Sequence, residues 1–176
     1  ASFGGVLGFF TGPPPSYESA RIKEPFEMVI GNTGIVANTH EMIAGVARRR
    51  AADHNRYGRI IQQAHAVAEQ ARAALEVDDL EVVGRLLNQN HALLQRIEVT
   101  HPAQERLVEV ARISGALGAK STGAGGGGCI VALTPGLELQ ARVAEAIERE
   151  GYEALRTMVG KVSSRPHSEA EAAGHV

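Results

Sequence analysis

The sequence predicts an α+β domain in which helices cover one face of a mainly antiparallel sheet, and two observations carry that prediction. Apolar residues recur with a period of two near the start, with a period of 3.6 through about 80 residues of the middle, and then as strand, helix and strand again. Hydrophobic residues make up 44% and charged residues 22% of the 176 positions, a globular balance in a chain able to bury about 70% of its unfolded surface.

Taken in order, Ser2 to Phe10 reads as a strand interrupted by Gly4, Gly5 and Gly8. Pro13, Pro14 and Pro15 deny both backbone donors and helical dihedrals, so Thr11 to Ser16 reads as an extended linker. Phe26 to Ile30 is a second strand, ending in the turn-like Gly31-Asn32-Thr33-Gly34. Thr39 reads as the N-cap of a first helix, with Glu41 in its first turn and Met42, Ile43, Val46 and Ala47 on one face.

A second helix runs from about Asp53 to Leu75 on Ile60, Ile61, Ala64, Val67, Ala68 and Ala71. The third covers about Asp78 to Ile97 on Leu80, Val83, Leu87 and Leu94. A fourth starts near Pro102 and continues through Leu107, Val108 and Ala111 to the glycines at 115 and 118. Cys129 to Leu133 returns to strand, and a last helix, about Glu138 to Glu150, turns Val143, Ala144 and Ile147 inward with Gly151 as its cap. A closing strand lies near Ala154 to Val162, and the polar, aperiodic stretch from Ser163 to Val176 reads as a disordered tail.

Composition excludes several functions. Eighteen basic against 20 acidic residues leave no positive excess for nucleic acid. A single cysteine, Cys129, excludes an intrachain disulfide framework and a multi-cysteine zinc site. The histidines show no ligand-like spacing with carboxylates, since His91 and His101 are ten apart and His65 is isolated, so no structural metal is expected. Without a run of ~20 apolar residues or a basic leader with an apolar core, a soluble, cytoplasmic protein with no membrane contact is expected.

Seven of the 20 glycines fall between Gly115 and Gly128. The spacing G-x-G-x-x-G occurs at Gly123, Gly125 and Gly128, but a dinucleotide loop must open a helix, and this one runs into a strand. A Walker A loop would need Lys and Ser or Thr where Cys129 and Ile130 stand. Two readings remain open: successive N–H groups forming a concave anion nest, or a glycine-rich hairpin that only packs tightly.

The run from Gly118 to Cys129 resembles the third conserved motif of the GHMP small-molecule kinases, in its mevalonate kinase form. Gly31 to Thr39, continued by Ala44-Gly45-Val46, resembles the strand and turn that open the C-terminal domain of that family. Asn90-His91-Ala92-Leu93-Leu94 and Val99-Thr100-His101-Pro102 resemble the helix and turn between those motifs. The resemblance covers roughly residues 1 to 160, and departs from the family where Glu98 replaces a common glycine and Ser121 a common leucine.

What the resemblance implies is the ferredoxin-like C-terminal domain of a two-domain kinase that uses ATP and Mg2+, with the active site between the domains. Residues 1–16 would be the last strand and linker of an N-terminal ATP-binding domain, 17–162 the C-terminal domain and 163–176 the tail. The acceptor would be mevalonate; phosphomevalonate, homoserine or a sugar are the alternatives, and a non-catalytic binding module of the same fold is the rival.

The resemblance puts the ATP loop, the Mg2+ ligand, a lysine and the catalytic aspartate outside this chain. The aspartate would stand upstream of Ala1, so the chain alone is expected to be inactive; a homodimer is what the family suggests. It places Thr122, Gly123, Ala124, Gly125, Gly126 and Gly127 in the cleft beside the transferred phosphate.

Individual residues keep alternatives. Lys120 either neutralises phosphate charge or is a solvated strand-end lysine, and Thr122 either donates to phosphate or caps its turn. Thr39 is either an N-cap or a substrate contact. Asn90 and His91 either reach the site or form a buried polar pair between helices. Cys129 reads as a small buried hydrophobe, and Arg48-Arg49-Arg50 as a solvated helix face.

Overall fold

Short polar side chains set where the first three helices begin. In the computed structural model, which describes residues 6–10 and 14–160, these are α1 (Thr39–Ala52), α2 (His54–Glu76) and α3 (Leu80–Arg96). Their caps are Asn38, Asp53 and Asp79, each accepting a backbone N–H three residues on. This corrects the expectation for Thr39: Asn38 is extended at φ −80°, ψ 96°, takes the Glu41 N–H, and leaves Thr39 as the first helical residue. The fourth helix, α4 (Pro102–Ile113), starts with a reciprocal box. His101 Nδ1 accepts the Ala103 N–H, and Gln104 Oε1 accepts the His101 N–H, both at 3.1 Å.

The strands are β1 (Val6–Phe10), β2 (Ser16–Ala20), β3 (Phe26–Asn32), β4 (Gly118–Ser121), β5 (Cys129–Leu133) and β6 (Glu153–Val159), with α5 (Leu137–Arg149) before β6. β1 and β2 form a hairpin in which Phe10 pairs with Ser16, so Ser16 opens a strand rather than ending a linker. The remaining strands form one sheet in the order β4-β5-β3-β6, every neighbour antiparallel. β4 was not anticipated: the fourth helix stops at Ile113, Gly115 turns at φ 102°, and the chain re-enters the sheet at Gly118. Residues 1–5, 11–13 and the tail from 161 lie outside the described residues.

α4 and α5 cover one face of the sheet. Val29, Ala119, Ile130 and Ala132 point toward Leu107 and Ala111 of α4 and Val143, Ala144 and Ile147 of α5, all of them fully buried. Phe26 and Leu133 pack instead against Ala74 and Val83, which brings the α2–α3 pair to the end of the sheet. On α1 and α2 the periodicity overstates the core: Ile43 is 63% exposed and Ile61 48%, while Tyr57, on the same turn as Ile60, is buried.

α3 lies against β4 backbone to backbone, since a Cβ on Gly118 would overlap the carbonyl of Gly84, and one on Gly84 the carbonyl of Leu117. The outer edge of β4 is thereby covered. Asn88 donates to the Leu117 carbonyl and accepts the Ala119 N–H, Arg112 donates to the Ala119 carbonyl, and His91 accepts the Ser121 N–H. Among the described residues no helix is long and apolar enough to cross a membrane.

Candidate functional site

The glycine loop joins β4 to β5, and two segments from opposite sides pin it. From the β3–α1 loop, the Thr33 N–H and hydroxyl both donate to the Gly128 carbonyl, at 2.9 and 2.8 Å, and the Ile35 carbonyl accepts the Gly128 N–H at 2.8 Å. From the turn before α4 and its first residues, Val99 accepts the Gly126 N–H at 2.8 Å. Gln104 Nε2 donates to the carbonyls of Gly127 at 2.6 Å and Cys129 at 3.2 Å. Gly125, at φ 85°, is where the chain has to be glycine, because a Cβ there would overlap the Val99 carbonyl oxygen.

This pinning leaves one set of donors over. Gly123 and Ala124 form a hydrogen-bonded turn that brings the Gly125 N–H to the Thr122 carbonyl, and among the described residues no hydrogen bond takes up the N–H groups of Gly123, Ala124 and Gly127. These last three residues line a single cleft of about 570 Å3 between the loop and the β3–α1 segment. α1 opens on the same space through Thr39, adding the positive end of its dipole. A run of unpartnered backbone donors beside a helix N-terminus is a site suited to an anion.

Of the residues singled out from the sequence, the structure brings Thr39, Thr122, Gly123, Ala124, Gly125 and Gly127 to the cleft wall. Lys120 and Gly126 are not among its lining residues. Gly126 gives its N–H to Val99 and packs against Met42 and Ala37. Lys120 pairs with Val131 on the sheet face opposite α4 and α5, half-buried, and desolvation pushes its ammonium pKa down. His91 does not reach the cleft: it is 1% exposed, between Ser121 and Glu105. Cys129, read as a buried hydrophobe, is partly exposed on the cleft wall.

Residues 71–154 match the family described as GHMP kinases C terminal. Over 144 residues the chain is 40% identical to the mevalonate kinase of Thermococcus gammatolerans, covering 78% of this chain and 42% of that protein. The chain belongs to the GHMP kinases. A second GHMP relative, the mevalonate kinase of Thermococcus sibiricus, is 35% identical over 170 residues, covering 94% of this chain and 49% of that one. The crystal structure of L. major mevalonate kinase in complex with R-mevalonate superposes with a TM-score of 0.86 at 27% identity, over 89% of this chain and 49% of that chain. The chain thus spans about half the length of the curated GHMP kinases it matches.

Sequence reasoning missed the residues that support the GHMP glycine loop rather than line its cleft. Thr33 and Gln104 are buried polar residues, and Val99 a buried valine whose backbone does the holding. Thr33 and Val99 stand inside the stretches that carry the family resemblance, without a role attached, and the signal for Gln104 is its place as the third residue of an α4 box opened by His101 and Pro102.

Proposed function

We propose that this chain forms the acceptor-side domain of an ATP-dependent mevalonate kinase, with the glycine loop binding the phosphates at the domain interface. The three unpartnered N–H groups of Gly123, Ala124 and Gly127 on the cleft wall carry the phosphate part of this reading. The choice of mevalonate rests on the relatives, which are named mevalonate kinases.

Phosphoryl transfer places charge on the equatorial oxygens of the moving group, and fixed backbone dipoles stabilise that charge without reorganising. The loop supplies such dipoles, and the side chains of Thr39, Thr122 and Asn32 supply hydrogen-bonding groups for an acceptor. ATP phosphates suit this donor set. Mg2+ does not: no residue lining the cleft carries a carboxylate, and the described residues hold no cluster of three metal-ligating side chains. The same lining holds no carboxylate, imidazole or amine to take the acceptor's hydroxyl proton, so that group and the metal ligands come from outside this wall. On this reading residues 17–162 act as one domain and residues 1–16 lead in from a nucleotide-binding half. A cytoplasmic location fits the lone cysteine.

The test is turnover by the full protein that carries this chain, with ATP and Mg2+. Mevalonate is expected to be phosphorylated, and phosphomevalonate, homoserine and galactose are not. Preference for another of these alcohols overturns the acceptor; no transfer to any of them overturns the kinase reading.

A further inference from the structure

Two peptide units flank the Gly126–Gly127 peptide, and both are anchored. On one side the Gly126 N–H is held by Val99. On the other, the Gly127–Gly128 unit is held at both ends, its N–H by the Ile35 carbonyl and its carbonyl by Gln104. These anchors hold the Cα atoms of Gly126 and Gly127, so the peptide between them keeps only rotation about the line that joins them, which narrows the directions open to its own N–H, that of Gly127.

Gln104 is the side chain that closes this arrangement. It is fully buried, and its amide cannot turn over, because Oε1 accepts the His101 N–H while Nε2 serves two carbonyls, those of Gly127 and Cys129. The same residue caps α4 and fixes the loop, which locks the helix start and the loop to one another. Apolar side chains of similar size fill the space and hold neither carbonyl.

We propose that Gln104 is a positioning residue, which acts through the Gly127 carbonyl to aim the Gly127 N–H at a bound phosphate group. This rests on the reading of the cleft as a phosphate site, and it assigns Gln104 no contact with substrate.

Two variants of the full protein that carries this chain test it. Gln104→Met removes donor and acceptor at similar size, and Gln104→Leu does the same with a different shape and no new charge, which covers the case where the methionine variant fails to fold. The probe is inorganic tripolyphosphate, titrated by calorimetry and by the amide resonances of the loop. In a folded variant its Kd is expected to rise about tenfold, the size of effect that losing one buried hydrogen bond produces. Hydrogen exchange at the Gly126 and Gly128 amides is expected to quicken by at least about tenfold, with the Ile130 and Ala132 amides unchanged.

A folded variant that binds tripolyphosphate within about twofold of the unsubstituted full protein overturns the positioning role. Unchanged exchange at Gly126 and Gly128 overturns it equally. If the unsubstituted full protein fails to bind tripolyphosphate, the phosphate site itself is overturned; the exchange rates then show separately whether Gln104 fixes the loop.

Discussion

His91 Nδ1 accepts the Ser121 N–H at 3.3 Å, one residue before the glycine loop begins. That bond puts the imidazole proton on Nε2, which faces Glu105 Oε2 at 3.2 Å. Burial pushes the pKa of His91 below its ordinary 6.5; Glu105 opposes that shift, and Arg112 and Lys120 add to it.

The sign follows from linkage. As pH falls through 6.5, unfolded chains take up the proton before the folded protein does, so stability is full above 6.5 and declines below it. Urea unfolding at pH 7, 6 and 5 is expected to show that decline, at less than about 1.4 kcal/mol per pH unit. Gln in place of His91 should flatten it. An equal slope in His91→Gln would assign the dependence to other groups.

Gly125 and Gly123 separate overlap from backbone strain. Both have φ near 85°, but a Cβ on Gly125 meets the Val99 carbonyl whereas one on Gly123 meets nothing within 4 Å. Gly123→Ala is expected to cost about 1 kcal/mol and Gly125→Ala about 2 kcal/mol or more, with the loop displaced. Chemical denaturation gives both values, and equal losses would show that Val99 exerts no constraint. In the full protein, Gly125→Ala should also lower kcat steeply; a loss of stability with unaltered kinetic constants is the result a non-catalytic module would give.

At Gly118 the added methyl has backbone on the other side, the Gly84 carbonyl, which cannot swing away as a side chain can. Gly118→Ala is expected to destabilise by about 2 kcal/mol or more through separation of α3 from β4. Denaturation midpoints, with circular dichroism to follow helix content, test this. A midpoint within experimental scatter of the unsubstituted chain would contradict the contact.

The cap of α1 can be assigned by a pair of substitutions. Asn38→Ala should cost about 1 kcal/mol, whereas Thr39→Ala should leave stability nearly unchanged. The reverse order of losses would return the cap to Thr39.

Much of the fold was legible because period alone decides between helix and strand when a segment is long. α2, α3 and α5 start and stop within two residues of where the apolar pattern put them. β4 was not legible, since Gly118-Ala119-Lys120-Ser121 is four residues long and carries no β-branched side chain; its place comes from the pairing with β5. The outward turn of Ile43 was hidden for a related reason: α1 packs little, and burial of Gly45 rather than of the large apolar residues marks its inner face.

Six of the eight cleft candidates were readable from the loop motif and from Thr39. The opposite wall, from Gly34 to Ala37, was not, because its residues face the cleft through a tertiary contact with no spacing rule behind it. Lys120 lies inside β4, where alternation turns it to the face opposite Ala119, whereas Thr122 lies past the end of the strand, so the spacing between the two says nothing about a shared direction.

Asn88, His91 and Arg112 have a consequence for assembly. By taking up the free backbone groups of β4, they make the sheet closed at that margin, and among the described residues β6 is the margin where a further strand has donors and acceptors to meet. A form lacking α3 would expose the β4 margin as well, and would be more prone to edge-to-edge association than the intact chain.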